Sequence, residues 1–345
     1  MKVPEYKNIA IIRLSSLGDI VHAIPAFNLL RKQFPGAKIS WFAENSGAKL
    51  LKNVAGIDEI ITLNLKVKGL FNKIKCILRI RSLYRKQFDL IIDFQGLLKS
   101  SILGWILKGH SIGFGKENLK ESPARYFYKQ QADPFDENNH VIFKNIHLIR
   151  GLVNTSNPPK VEYPLKQIPV SQKLERFLAE NKLEKNKYII LNIGGGWESK
   201  LLGIPQNIEI IKKIKNKCDC PVVILWGNEK EKQVAREIAR ETQTLMTDFF
   251  DFGELILLIQ YACLTVSADT LALHVADMVK VPSVGFFGPT SPGRNGSLLK
   301  ESVHVLEKME CSFCYKKKCV KIDCMKKIDI DQIIEAIEKI YEKCH

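Results

Sequence analysis

Short apolar runs alternate with helix-length amphipathic segments along nearly the whole chain. The first half contains the runs NIAIIRL, KISWFAE, EIITL and FDLIIDF, and the second half contains KYIILNI, PVVILWG, ACLTVS and PSVGFF. Buried strands separated by helical patterns are typical of βαβ units in a parallel sheet. The proline-rich stretch TSNPPKVEYPLKQIPV between the two groups predicts a linker. The pattern therefore predicts an α/β protein of two doubly wound, Rossmann-like domains with a cleft between them.

The charge is concentrated in the first half of the chain. Of the net charge of +15, residues 1–170 carry 26 Lys and Arg against 13 Asp and Glu, and the remainder carries 26 against 24. The segment 66–86 has eight basic and no acidic residues on a helical pattern. It predicts either a basic helix lying on anionic lipid or a solvated crossover helix. The first half is thus expected to meet an anionic partner, which is a membrane surface, a phosphorylated substrate or a nucleic acid.

Other features of the sequence narrow the classes of protein and of partner that fit it. The N-terminus lacks the profile of a signal peptide, and no apolar run is long enough to span a bilayer, so a cytoplasmic protein is expected. There is no G-x-G-x-x-G after the first strand, which disfavours a dinucleotide oxidoreductase. Signatures of a nucleic-acid-binding module are missing too. The expected partners therefore exclude nucleic acid.

Three segments that follow predicted strands could carry chemistry. In RLSSLGD, Asp19 begins a helix at the carboxyl edge of the sheet, where it is either a helix cap or a general base. In NIGGGWESK, glycines let backbone amides approach a phosphate, and Lys200 supplies a positive charge. In SADTLALHVA, Asp269 and Thr270 stand at a helix N-terminus, which is either simply capped or a phosphate site.

The cysteines at 311, 314, 319 and 324 form a C-x2-C-x4-C-x4-C cluster. The spacing of Cys311, Cys314, Cys319 and Cys324 is compatible with a structural zinc or an iron–sulfur site. Reduced thiols or disulfides are the alternatives.

The segments RLSSLGDIVHAIPAF, DFQGLLKS, NIGGGWESK, ADTLALHVA and FFGPTSP, in this order, resemble the heptosyltransferases of glycosyltransferase family 9. The nearest resemblance is to the heptosyltransferase I type, which adds the first heptose to the Kdo residue of lipid A. The resemblance implies a GT-B fold: an acceptor-binding domain over 1–165, a nucleotide-sugar domain over 166–328, and a helix over 329–345 that returns toward the first domain.

The resemblance also implies the reaction and its participants. An inverting transferase would move L-glycero-D-manno-heptose from ADP-heptose to Kdo-lipid A without an obligatory metal or cofactor. It would act as a cytoplasmic protein bound peripherally to the anionic surface of the inner membrane. The alternatives are a heptosyltransferase for a later core position or another nucleotide-sugar GT-B enzyme.

The resemblance also implies roles for individual residues of this sequence, position by position. Asp19 matches the catalytic base, and Lys200 matches the lysine that neutralises the departing diphosphate. The implied donor-binding residues are Gly194, Gly195, Gly196, Lys200, Glu231, Asp269, Thr270, Leu271 and His274. The implied acceptor-binding residues are Ser15, Ser16, Lys99, Lys120 and His140. Leu271 departs from the family's usual glycine, and Lys120 replaces an arginine seen in some relatives.

Overall fold

The computed structural model describes residues 5–64, 78–154, 158–218 and 220–344. The chain divides into two compact units, Met1–Gln167 and Ile168–His345, and this boundary falls within the proline-rich linker. Much of the basic segment 66–86 lies outside the described residues, although residues 78–84 are helical. No described helix is both long and apolar enough to cross a membrane.

The first unit is built on a six-stranded parallel sheet with the order β3-β2-β1-β4-β5-β6. Its strands are β1 (Asn8–Ile12), β2 (Lys38–Glu44), β3 (Glu59–Leu63), β4 (Leu90–Asp93), β5 (His110–Gly113) and β6 (Gln130–Gln131). Its helices are α1 (Leu17–Gln33), α2 (Asn45–Leu51), α3 (Leu98–Leu107) and α4 (Val141–Leu148). β1 is almost fully apolar because parallel strands are covered by helices on both faces.

The second unit repeats this design with the sheet order β12-β11-β10-β7-β8-β9. Its strands are β7 (Ile189–Asn192), β8 (Val222–Leu225), β9 (Leu245–Met246), β10 (Leu264–Ala268), β11 (Ser283–Phe287) and β12 (Val303–Leu306). The helices are α5 (Gln172–Glu180), α6 (Ile204–Lys217), α7 (Glu229–Thr242), α8 (Phe252–Gln260), α9 (Leu271–Met278), α10 (Pro292–Asn295), α11 (Asp323–Lys326) and α12 (Ile330–Cys344).

The predicted α/β class with two Rossmann-like sheets is confirmed. All eight predicted apolar runs contain strands, while β5, β6, β9 and β12 were not predicted because they are short or lie at the ends of the sheets. In each unit the first and fourth strands are neighbours, β1 beside β4 and β7 beside β10. This order creates a topological switch point, the place where ligands bind in open α/β sheets.

Helix α12 completes the core of the second unit. Its Ile333, Ile334 and Ile337 are at most 1% exposed and belong to the same apolar cluster as the strands β7, β10 and β11. Lys217 of α6 also pairs with Glu338 of this helix at 3.0 Å. The predicted amphipathic helix is therefore present and packs on the second unit, whereas its return toward the first unit stays a prediction.

Candidate active site

In the first unit, the chain leaves the switch point through the loop that joins β1 to α1. This loop carries Ser15 and Ser16, and Asp19 lies in the first turn of α1. The Asp19 carboxylate accepts hydrogen bonds from the Ser16 backbone N–H at 3.1 Å and from the Ser16 hydroxyl at 2.7 Å. A carboxylate at the third position of a helix stabilises the helix start when it accepts a hydrogen bond from the backbone N–H of the N-cap residue. Asp19 therefore does serve as a helix cap, yet 38% of its side chain remains exposed for chemistry.

Arg13, at the end of β1, is the principal charge partner of Asp19. Its Nη2 lies 2.7 Å from Asp19 Oδ1, and the Arg13 side chain is only 11% exposed. Burial raises the pKa of Asp19, but Arg13, the Ser16 hydrogen bonds and then the charge of Lys120 together hold it below the ordinary value. The carboxylate is thus ionised at neutral pH and oriented by a nearly buried cation. Lys120, an expected acceptor residue, belongs to this group.

The turn after β4 supports the same loop from the neighbouring strand. The side-chain oxygen of Gln95 accepts from the backbone N–H of Leu14 at 2.8 Å and of Ser15 at 3.2 Å. Asp93, which is 1% exposed, in turn accepts from the Gln95 backbone N–H at 2.8 Å and from the Tyr128 hydroxyl at 2.7 Å. Burial raises the pKa of this carboxyl group. These contacts fix the loop on which Asp19 depends.

The remaining expected acceptor residues have different surroundings. Lys99 Nζ pairs at 3.2 Å with Glu44, which closes β2 at the same edge of the sheet. His140 is 5% exposed, its Nδ1 accepts from the Ile142 backbone N–H at 3.2 Å at the start of α4, and its ring lies against His22. Lys99 thus lies at the carboxyl edge of the sheet, and its role in acceptor binding stays a prediction. The role of His140 in acceptor binding stays a prediction, and its position favours structural support.

In the second unit, three charged or ionisable side chains form a buried network at the switch point. Lys200 Nζ contacts Asp269 Oδ2 at 2.7 Å and the Asp269 backbone oxygen at 3.0 Å. His274 Nε2 lies 3.1 Å from Asp269 Oδ1. The Asp269 side chain is 3% exposed and that of Lys200 is 13% exposed. The structure therefore brings together residues separated by 69 positions in the sequence.

The electrostatics of this network favour an ionised carboxylate. Burial alone would raise the pKa of Asp269, but the His274 ring and the Lys200 ammonium hold it well below the ordinary value. Lys200 also lies 4.2 Å from the centroid of the Trp197 ring, a cation–π distance. The ammonium is thus held in place on two sides at the end of β7.

The N-terminus of α9 begins beside this network. Thr270 is the N-cap residue, but its hydroxyl makes no hydrogen bond to the first turn. It is instead 2.9 Å from the Asn192 side-chain nitrogen and 3.0 Å from the Ser267 hydroxyl. Thr270 thus occupies the expected N-cap position, but its hydroxyl lies beside Asn192 and Ser267 and not beside the first turn of the helix. The helix start, with half-buried Leu271, keeps amides suited to an anion.

The glycine loop has a more specific role than general phosphate approach. A Cβ on Gly194 would lie 2.1 Å from the Glu231 carboxylate, and one on Gly195 would lie 2.8 Å from Thr270, whereas nothing lies within 4 Å at Gly196. The Glu231 carboxylate accepts from the Gly195 backbone N–H at 3.1 Å and from that of Gly227 at 2.7 Å. The first two glycines thus make room for the protein's own side chains. Gly196 leaves open space.

The cysteine cluster does not form the expected metal site. Cys311, Cys314 and Cys319 are exposed free thiols, whereas Cys324 is buried and packs against Gly288. Among the described residues, no group of three or more His, Cys, Asp or Glu side chains could hold a metal ion. The zinc or iron–sulfur prediction is therefore unsupported.

The cysteine-rich segment instead borders the Lys200 loop. The Ser199 hydroxyl donates to the Lys316 backbone oxygen at 2.7 Å, and the backbone N–H groups of Phe313 and Tyr315 donate to the turn after β11. Lys317 lies 5.7 Å from the centroid of the Trp197 ring. Backbone and ring contacts thus hold the segment at the rim of the candidate donor site.

The residues of these groups that were not predicted include Arg13, Gln95, Asn192 and Trp197. Arg13 and Gln95 stand within the quoted segments RLSSLGD and DFQGLLKS, and Trp197 stands within NIGGGWESK. A polar residue at the end of an apolar strand was the available signal, since strand ends at the switch point face ligands.

Comparison with known proteins places this arrangement in a family. The model of glycosyltransferase family 9 (heptosyltransferase) matches residues 78–324, more than half of the chain. Lipopolysaccharide heptosyltransferase 1 of Campylobacter coli is 29% identical over 96% of this chain and 98% of its own length. Its counterpart in Pseudomonas aeruginosa is 24% identical over 90% and 87%.

A solved structure shows the same fold. The E. coli heptosyltransferase WaaC with ADP superimposes with a TM-score of 0.74, at 20% identity, over 95% of this chain and 99% of that protein. The GT-B fold that was expected from the sequence is thus confirmed.

Proposed function

This chain belongs to glycosyltransferase family 9, the heptosyltransferases, and we propose that it transfers L-glycero-D-manno-heptose from ADP-heptose to the Kdo residue of Kdo-lipid A. The observation that carries the proposal is the Lys200–Asp269–His274 network at one switch point, together with an oriented carboxylate, Asp19, at the other. Relatives named lipopolysaccharide heptosyltransferase 1 support the first heptose position. A later core position is the second candidate.

The second unit binds the donor. The Lys200 ammonium and the amides at the start of α9 neutralise the diphosphate, so the charge that builds up on the leaving ADP meets a preorganised positive site. Asp269 holds Lys200 in that position. The Glu231 carboxylate, which two backbone N–H groups hold in place, accepts hydrogen bonds from the ribose hydroxyls of the donor. Because Lys200 and the helix start supply the positive charge, the reaction requires no metal.

The first unit binds the acceptor and supplies the base. Asp19 takes the proton of the Kdo hydroxyl while the oxygen of that hydroxyl attacks the anomeric carbon of heptose. The bond from that carbon to the diphosphate oxygen breaks as the new glycosidic bond forms, so the configuration inverts. Ser15, Ser16, Lys99 and Lys120 supply donors and positive charges for the Kdo carboxylate and the lipid A phosphates.

The function is tested by supplying alternative substrates to the purified chain. We expect transfer from ADP-heptose to Kdo-lipid A with an inverted anomeric configuration by NMR, and equal rates with and without a chelator. UDP- and GDP-sugars should not replace the donor. Preferential transfer to an acceptor that already carries one heptose would favour the later core position. A rate that depends on added metal would contradict the metal-independent mechanism.

The glycine loop gives a prediction for donor affinity. In Gly194→Ala the new methyl group displaces the Glu231 carboxylate, the end of a flexible side chain, so Glu231 loses its place while the fold survives. We expect ADP to bind about tenfold more weakly, which corresponds to about 1.4 kcal/mol. Isothermal titration calorimetry measures the change. Gly151→Ala, in the first unit and outside the donor site, is the matched control, because its methyl group enters open space. Equal affinities of the two variants would contradict the role of Glu231.

The Arg13–Asp19 pair predicts a shift in the pH profile. Removing the guanidinium in Arg13→Met leaves burial as the main influence, so the pKa of Asp19 rises. Because the base must be ionised, the acid limb of kcat/KM moves to higher pH. Arg31→Met, which removes an arginine paired with Asp58 in the same unit, is the control. An unmoved acid limb in Arg13→Met would show that Asp19 does not set the profile.

A further inference from the structure

Helix α3 presents an apolar stripe outward from the first unit. Leu98, Ile102 and Trp105 follow one another at helical spacing, and Leu98 is 36% exposed while Trp105 is 53% exposed. The 3-10 helix Ser122–Phe127 packs beside α3 and extends the stripe. The Phe127 ring lies 6.2 Å from the Trp105 ring, and Tyr126 is 73% exposed. Five apolar or aromatic side chains thus lie on these two adjacent helices.

Positive charges stand directly on the exposed aromatic rings. Lys108 Nζ lies 4.8 Å from the centre of the Trp105 ring, and the Arg125 guanidinium lies 4.7 Å from the centre of the Tyr126 ring. The acidic neighbour Glu121 is used internally, since its carboxylate accepts from the Leu98 backbone N–H at 2.6 Å. The surface formed by Leu98, Ile102, Trp105, Lys108, Arg125 and Tyr126 is therefore aromatic and basic; we call it the α3 surface.

We propose that the α3 surface binds the interface of an anionic lipid bilayer. Trp and Tyr side chains combine an apolar ring with a polar tip and prefer the headgroup level of a membrane. Adjacent Lys and Arg side chains add attraction to anionic headgroups. The proposal rests on the proposed function in one respect, the lipid-linked acceptor, which brings the first unit to a membrane. It assigns that contact to residues other than the basic segment 66–86.

Vesicle sedimentation tests the surface without any nucleotide sugar. The full chain should bind vesicles of phosphatidylcholine with phosphatidylglycerol and bind pure phosphatidylcholine weakly. Trp105→Ser/Tyr126→Ser should lower the partition coefficient by at least about tenfold, because the variant loses two interfacial rings. Arg125→Gln should lower it about fivefold at low salt and less at high salt. Phe249→Ser, at a 60% exposed ring of the second unit, is the control that keeps native binding.

Quenching by brominated lipids locates the contact. Trp105 is the exposed indole among the described tryptophans, since Trp41 and Trp226 are at most 5% exposed and Trp197 is half-buried. We expect quenching in the native chain and its loss in Trp105→Phe, with sedimentation retained. Native partition in Trp105→Ser/Tyr126→Ser, or no quenching of Trp105, overturns the proposal. So does self-association without lipid that this double variant abolishes, because the surface would then bind a second copy.

These experiments distinguish a failure of the α3 surface proposal from a failure of the proposed function. Normal transfer to a soluble Kdo acceptor without vesicle binding overturns the α3 surface alone. Vesicle binding that depends on Trp105, without transfer of heptose, overturns the proposed function alone.

Discussion

Asp19→Asn should lower kcat by about 10³-fold, within the range typical of a lost general base, while ADP binds as before. The amide still accepts the Ser16 hydrogen bonds that start α1, so the fold is retained, but it cannot take the acceptor proton. Turnover and ADP affinity are measured on the same preparation, by product formation and by calorimetry. The change separates the base role of Asp19 from its cap role.

Asp58→Asn is the matched control for this experiment. Asp58 also pairs with an arginine and accepts a backbone N–H, that of Ile39 at 2.7 Å, but it lies outside the candidate site. Its variant should keep native turnover. Full activity in Asp19→Asn would remove Asp19 from the mechanism, and equal losses in both variants would point to a general effect of charge.

Lys200→Met should weaken ADP binding about a hundredfold and lower the free energy of unfolding by about 3 kcal/mol, the lower end for breaking a buried ion pair. The variant leaves the Asp269 carboxylate, which is 3% exposed, beside the diphosphate without the Lys200 ammonium, with the His274 ring as its remaining side-chain partner. Chemical denaturation and calorimetry measure the two effects. Lys213→Met, which breaks more exposed pairs with Glu209 and Asp331, should change the unfolding free energy by at most about 1 kcal/mol.

A double variant distinguishes a binding role of Lys200 from a purely structural one. Lys200→Met/Asp269→Asn removes both charges of the buried pair, so most of the lost stability should return. ADP affinity should stay low, because the cation that meets the diphosphate is still missing. If affinity returned together with stability, Lys200 would only support the fold.

The Asp269 network also predicts a pH dependence of stability. The folded pKa of Asp269 is held below its ordinary value of 3.8, so the carboxylate contributes stability above that pH. The contribution is lost only as the pH falls through the lower folded pKa. Asp269→Asn should therefore be destabilised at neutral pH and approach the native chain in strong acid.

The sequence predicts more of the fold than of the site contacts. Period and run length identify the buried strands β1, β4, β7 and β10. The loops and helix starts that follow these strands carry Asp19, Lys99, Lys200 and Asp269. That β1 lies beside β4, and β7 beside β10, follows from packing and not from any local pattern. The switch points therefore emerge only in the folded chain.

The side-chain partners were predicted least well, because they join distant positions. Gly195 donates to Glu231 across 36 residues, and Gln95 reaches Ser15 across 80. The spacing of residues along the chain shows which residue types are present, but it does not show which of them form hydrogen bonds with one another. The cysteine cluster shows the same limit: its spacing suits a metal, yet among the described residues no group of three or more side chains could hold a metal ion.

Helix α12 has a consequence for how the protein is made. The first unit can complete its sheet once residues up to the linker have left the ribosome. The second cannot, because Ile333, Ile334 and Ile337 fill the core beneath strands that are synthesised long before them. Until α12 emerges, β7, β10 and β11 expose apolar surface, the condition in which nascent domains engage chaperones. Stalled synthesis before residue 330 should thus release a chain with one finished domain and one aggregation-prone domain.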